Sequence, residues 1–218
     1  MNRLAAPFFA VVLIVCFSSE TSRAQTLLDR WSLGIHAGVN YWVTDYNQYK
    51  IGTGANMQVR YDPVRYLGLG LSAGYEILKT NQSVPLEAGT YASYMKLNAI
   101  PLAFIMTLHF YPRKTVNPYV YAGFGAIMFE RTNGIAAVYP VDNKWRTSYM
   151  IPAGFGIEAF TSSSTSFDAS LGFSNFSDWV DARTTTSFKG YMALKLGFNF
   201  YLNEGAPVRR VGGALVPH

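Results

Sequence analysis

From Trp31 to Val43 the chain alternates without a break. Trp31, Leu33, Ile35, Ala37, Val39, Tyr41 and Val43 form one set of positions, and Ser32, Gly34, His36, Gly38, Asn40 and Trp42 the other. Successive side chains of a strand point to opposite faces, so one face is apolar and the other polar or small. The same period of two recurs over residues 51–61, 66–78, 93–110, 119–129, 149–160, 166–174 and 188–202, which gives eight predicted strands. In the third, Leu67, Leu69, Leu71, Ala73, Tyr75 and Ile77 alternate with Gly68, Gly70, Ser72, Gly74 and Glu76. In the fourth the phase slips: Met95 and Leu97 take the apolar face first, then Ile100, Leu102, Phe104, Met106 and Leu108. A one-residue bulge near Ala99 would reconcile the two halves, and Pro101 beside it has no N–H to donate to a ladder.

Strands of about ten residues or more, tilted, are long enough to cross a bilayer. An even number of antiparallel strands closes into a barrel and leaves no unpaired edge, which a bilayer demands. The pattern therefore predicts an all-β fold: an eight-stranded antiparallel transmembrane β-barrel with up-and-down meander topology. A soluble barrel of the lipocalin kind would alternate in the opposite sense, apolar inward. Gly68, Gly70 and Gly74 argue against it, because a glycine face suits a cramped interior and would make a poorly soluble exterior.

Composition agrees. Half of the residues are hydrophobic, 16% are aromatic and 14% are charged, against about 25% charge in ordinary soluble domains. The net charge of +5 is modest and no dense Lys/Arg cluster marks a nucleic-acid partner.

The start of the chain carries the three parts of a secretory leader: Met1-Asn2-Arg3, an apolar stretch from Ala5 to Phe17, and Ser22-Arg23-Ala24 as a cleavage site. The apolar stretch is shorter than the roughly 20 residues of a spanning helix. Val15 before Cys16, the one cysteine, does not suit lipidation, so the mature chain is expected to begin near Gln25 without a disulfide. The expected organisation is a signal peptide over 1–24, a barrel over 25–202 and a flexible periplasmic tail over 203–218, placing the protein in the outer membrane with both termini periplasmic.

The connections alternate in length. Segments 62–65, 111–118 and 161–165 are compact turns, whereas 44–50, 79–92, 130–148 and 175–187 are mostly longer, as expected for periplasmic turns and outer loops. Trp31, Tyr41, Trp42, Tyr61, Tyr66, Tyr94, Phe110, Tyr111, Tyr119, Tyr149, Phe160 and Tyr201 collect at predicted strand ends, as interfacial girdles do.

Eight strands enclose a lumen that side chains can fill. The predicted inward charges are His36, Arg60, Glu76, Lys96, Glu158, Asp168 and Lys195. Strand direction places Glu76 with Lys96 near the outer rim, and Arg60, Glu158 and Asp168 near the periplasmic end, with Lys195 somewhat higher. Opposite signs at one height suit a low-dielectric wall, where charges need partners. Two uses follow: a structural plug, or a gated ion path.

Enzymatic chemistry is not expected. His36, His109 and His218 lack a neighbouring serine or acid that would suggest a triad. Ser174-Asn175 is preceded by Gly172 where an H-x-S-N motif of lipid A deacylases would place histidine. Asp178 and Asp181 could ligate calcium, but two acids in a loop ordinarily mark a solvated segment. No catalytic residue, metal or cofactor is assigned.

Three motifs carry a family resemblance: Ala99-Ile100-Pro101-Leu102, Asn117-Pro118-Tyr119-Val120-Tyr121-Ala122-Gly123 and Ile151-Pro152-Ala153-Gly154-Phe155-Gly156. With the loop Phe176-Ser177-Asp178-Trp179-Val180-Asp181, they make the chain resemble the small OmpA/OmpX-like (porin-family) outer-membrane barrels from Trp31 to Leu202. The resemblance implies adhesins, envelope-stabilising proteins, small-solute channels or secretion accessories, and no catalytic residue. Many such barrels stop at an aromatic residue; here Phe198-Asn199-Phe200-Tyr201 is followed by a tail too short for a peptidoglycan-binding domain.

Two functional readings stand. In the first, a closed barrel anchors outer loops whose Tyr46, Tyr49, Tyr91, Trp145 and Trp179 contact a surface ligand. In the second, the lumen glycines leave unfilled volume and make a narrow channel. The expected partners are outer-membrane lipid and lipopolysaccharide and the barrel-assembly machinery, with no nucleic acid, for a monomeric barrel.

Overall fold

The computed structural model describes residues 28–43, 48–86, 89–133, 145–176, 190–202, 209–211 and 214–216. At 48–49, 80–86, 89–95, 131–133, 209–211 and 214–216 it describes the backbone alone. Eight strands, β1 (Arg30–Val43), β2 (Gln48–Val64), β3 (Leu67–Leu86), β4 (Gly89–His109), β5 (Val116–Asn133), β6 (Arg146–Phe160), β7 (Thr165–Phe176) and β8 (Gly190–Tyr201), form the wall. Each pairs antiparallel with its sequence neighbour, and β1 pairs with β8 to close the barrel. The order is the predicted meander. Within the tail, β9 (Arg209–Val211) and β10 (Ala214–Val216) pair as a separate two-stranded sheet.

The faces point as the glycines indicated. Ile35 on β1, Leu71 on β3, Phe124 on β5 and Phe155 on β6 are between 48% and 67% exposed. The groups that alternate with them, such as His36, Arg60 and Glu158, are buried. This is the inside-out distribution of a barrel whose solvent is hydrocarbon.

One end holds the chain ends of the barrel and the compact connections; it is called the terminal end below. Trp31 stacks on Tyr61 there, with ring centroids 4.8 Å apart, and Tyr66, Phe110 and Tyr111 are exposed nearby, as a girdle requires. Four of the predicted girdle aromatics lie instead inside the wall: Trp42, Tyr119, Phe160 and Tyr201 are buried. All four occupy the inward phase of their strands, so position near a strand end does not decide which face a ring takes.

The opposite, loop end departs from expectation in β3 and β4. Residues 79–86 and 89–92 are strand rather than loop: the ladder runs in register from Leu67↔Leu108 to Leu86↔Gly89. Its outward apolar pattern lapses above Ile77 because a strand that has left the bilayer no longer meets lipid. That ladder has no bulge at Ala99 either. The register irregularities are on β2–β3, between Lys50 and Thr53 and between Tyr61 and Val64, and on β4–β5 between Lys96 and Leu97. Phase is therefore continuous along β4, and Leu97, expected to face lipid, is 2% exposed opposite the buried Leu78.

Candidate functional site

The side chains that could carry function converge in the lumen, and they form four successive layers. The first closes the terminal end. Arg60 on β2 donates to Glu158 on β6 at 3.1 Å and to the Tyr201 hydroxyl at 2.7 Å. Its Nε lies 3.3 Å from Asp62. Glu158 also accepts from Ser166, from the Asn199 amide at 2.9 Å and from the Tyr201 hydroxyl at 2.6 Å. His109 lies 3.5 Å from Asp62 and 2.7 Å from Asn117. Beneath them Arg30 crosses the Tyr201 ring at 4.2 Å and donates to the Ser163 carbonyl at 2.6 Å. That bond ties the β6–β7 turn across the base of the barrel. Two guanidiniums face two carboxylates here, and all four groups are at most 5% exposed. The formal charges balance, which buried ions require, whereas both Asp62 carboxylate oxygens, the Arg60 Nε and the His109 Nε2 are buried without a hydrogen bond.

Above the base, Asp168 lies 3.5 Å from His36 and accepts from the Tyr119 hydroxyl at 2.8 Å. Asn56, Ser72, Tyr121 and Ser170 continue this layer around a small cavity of about 90 Å³. The third layer is Glu76, fully buried, which accepts from Lys195 at 2.5 Å and from Asn40 at 2.6 Å. The fourth is apolar: Trp42, Leu78, Leu97, Ile127, Phe129, Met150 and Phe176 pack as one buried cluster. Phe129 meets Phe176 at 6.0 Å between centroids, and Phe176 meets Tyr191 at 6.2 Å. Rings and branched side chains thus pack across the loop end of the lumen.

The lumen glycines do not leave the space empty. A Cβ at Gly54 would fall on the Glu76 carboxylate, one at Gly172 on the Tyr121 hydroxyl and one at Gly156 on the Tyr119 ring. Each glycine is the recess into which a large neighbour folds, which removes the argument that glycine count measures open volume. Replacing Gly54 with valine is accordingly expected to push Glu76 from Lys195 and Asn40 and to destabilise the barrel by about 1–3 kcal/mol. Urea unfolding in lipid vesicles measures this, and adding Glu76→Ala should cost less than the sum of the two single changes.

Of the seven predicted inward charges, six face the lumen. Arg60 joins Glu158, His36 joins Asp168, and Glu76 joins Lys195. Lys96 is the exception. It stands opposite Lys79 across the β3–β4 ladder, on the outward phase, because no bulge intervenes between it and the inward Ala99. The predicted Glu76–Lys96 pair is replaced by Glu76–Lys195, reached across the barrel from β8. Asp62, Arg30 and His109 also belong to the base. Extending the alternation of β1, β2 and β4 by one step to each strand's end would have found them. Of the loop aromatics, Trp145 is 48% exposed just before β6. Tyr49 and Tyr91 lie on β2 and β4 where the backbone alone is described, and Tyr46, Trp179, Asp178 and Asp181 lie outside the described residues.

Comparison with known proteins gives the same architecture. Neisserial surface protein A superposes with a TM-score of 0.55 at 13% identity, covering 78% of this chain and 96% of its own. Ail, the attachment invasion locus protein of Yersinia pestis, solved with the heparin analogue sucrose octasulfate, gives 0.52 at 14% identity over 80% and 99%. At these identities the likeness concerns the fold. No curated protein sequence matches the chain. The model of the family described as "Outer membrane protein beta-barrel domain" matches residues 9–209, which spans the whole wall and every layer of the lumen. The chain is a member of that family, an outer-membrane β-barrel protein.

Proposed function

We propose that this barrel is a closed membrane anchor that acts through the structures it holds at its loop end, as an adhesion or envelope protein, with both termini periplasmic and the leader removed. The observation that carries this reading is the double closure of the lumen. A matched ion cluster fills the terminal end and an apolar cluster fills the loop end. Ions would have to cross both, and a layer of buried rings offers no replacement for their water. The extension of β3 and β4 above the apolar belt to Leu86 and Gly89 supports it as well, because it supplies a paired two-stranded projection.

The second reading, a narrow channel, draws on the polar cavity between the two seals. Conductance separates them. The protein extracted from membranes and inserted in a planar bilayer should be electrically silent while it shows the heat-modifiable gel migration of a folded barrel. Steady unitary steps would establish the channel.

A further inference from the structure

Among the described residues, the charges of the lumen below the apolar layer do not balance. Arg30, Arg60 and Lys195 are positive, whereas Asp62, Glu76, Glu158 and Asp168 are four carboxylates, each at most 2% exposed. Two of the three polar layers are neutral: the base holds two guanidiniums and two carboxylates, and Lys195 answers Glu76. The excess negative charge falls on Asp168, in the layer between them. An uncompensated buried charge is strongly unfavourable, so a proton or a small cation has to neutralise that layer.

The geometry around Asp168 favours a proton. Across the β6–β7 ladder Glu158 stands directly opposite Asp168, so two carboxylates share one face on adjacent strands. Side by side they disfavour double ionisation. Hydrogen bonding decides which of them stays ionised. Glu158 accepts from Arg60, Ser166, Asn199 and Tyr201, a donor set that suits a carboxylate anion. Asp168 accepts from Tyr119 on one oxygen, while its Oδ1 is buried without a hydrogen bond, 3.5 Å from His36 Nε2 on β1. His109 on β4 does not hold the balancing proton. The Asn117 amide oxygen accepts from the Tyr111 N–H, which turns its amide NH2 toward His109 Nδ1 at 2.7 Å. The amide donates there, so Nδ1 carries a lone pair and the ring is neutral. The remaining charged groups facing the layer are already engaged: Arg60 from β2 with Glu158, and Lys195 from β8 with Glu76 from β3. Tyr119 and Tyr121 from β5 add neutral phenols to the cavity wall.

We propose that Asp168, with His36 Nε2 beside it, is a proton-binding site that completes the neutrality of the closed lumen. The inference rests on the closed-lumen reading above, because an open lumen would admit a counterion. The held proton links folding to pH. Above the ordinary histidine value of about 6.5 the unfolded chain binds no proton at either group, whereas the folded barrel keeps one. The folded state then binds more protons than the unfolded state, so stability falls as pH rises through this window.

The test counts that proton. The protein extracted from membranes is unfolded in urea and refolded into lipid vesicles at about pH 8, in weakly buffered solution with a pH-indicating dye; the other carboxylates, the lysines and the arginines carry the same charge in both states there. Uptake of about one proton per barrel is expected, and Asp168→Asn should abolish it. The unfolding equilibrium constant of the wild type should rise about tenfold per pH unit between about pH 7 and pH 8.5, and that of Asp168→Asn should stay level. A role confined to the Tyr119 hydrogen bond would instead lower the variant's stability equally at every pH, and that result would overturn the proposal. So would the absence of uptake in wild-type protein whose gel migration shows a folded barrel, or unchanged uptake in Asp168→Asn. Absence of uptake with a stability that rises with sodium at constant ionic strength would assign the balance to a bound cation. Should Asp168→Asn fail to fold, the wild type decides by its proton count and by the C=O band of a buried carboxylic acid in its infrared spectrum, and the lack of either sinks the site. Conductance tests the closed lumen separately. A silent barrel that takes up no proton defeats this inference alone, and a conducting barrel that takes up one defeats only the closed-lumen reading.

Discussion

Replacing Arg60 with alanine is expected to lower the stability of the barrel by about 3–5 kcal/mol. The guanidinium stands between Glu158 and Asp62 and donates to Tyr201, and it links β2 to β6 and β8 across the lumen. Removing it leaves two carboxylates buried in the base with one remaining guanidinium, Arg30, which donates to the Ser163 carbonyl in the β6–β7 turn. The loss is large because the orphaned partners cannot be rehydrated, whereas the intact pair contributes little beyond its matching. Urea unfolding in lipid vesicles measures it. Neutralising Glu158 to Gln in the same chain should recover part of the loss, because that removes the orphaned charge. An unchanged midpoint in Arg60→Ala would remove the cluster from the account of what holds the base together.

Opening the lumen should require two separate lesions. Trp42→Ala with Phe129→Ala removes two of the largest rings from the apolar layer, a change that costs several kcal/mol of packing in an ordinary core. It should expose the cavity from the loop end while the ion cluster still closes the terminal end. A cysteine placed at Ser72, which lines the cavity, reports this separately from conduction. In the leaderless protein it is the sole cysteine, since Cys16 precedes the expected cleavage site. Its reaction with a water-soluble thiol reagent should accelerate about a hundredfold or more when the rings are removed, in keeping with an opening free energy lowered by about 3 kcal/mol. The bilayer should remain silent until Arg60→Ala is added, and unitary steps should then appear. Conduction through the ring variant alone would mean that the charged base is permeable to ions.

Much of this was legible in the chain itself. Period-two alternation with glycine on one face fixed the strand number, the closure and the sense of the barrel, because lipid selects apolar side chains wherever a strand lies within the bilayer. Charge within that alternation placed His36, Arg60, Glu158 and Asp168 inside, since an ionised group has no tolerable position on the lipid face. Where selection by lipid stops, the pattern stops with it. The β3–β4 projection above Ile77 reads as a loop because nothing there demands alternation.

Three features were decided by tertiary structure alone. Leu97 reads as lipid-facing because it is apolar, yet it plugs the lumen; an apolar residue satisfies either environment, and only the unbroken β3–β4 register chooses between them. The partner of Glu76 is Lys195, which lies 119 residues away in sequence, because barrel closure brings β8 within reach of β3. Glu158 and Asp168 fall opposite each other because register determines which side chains of separate strands become neighbours. Sequence carries the alternation of each strand, but the offset between strands is a property of the closed sheet.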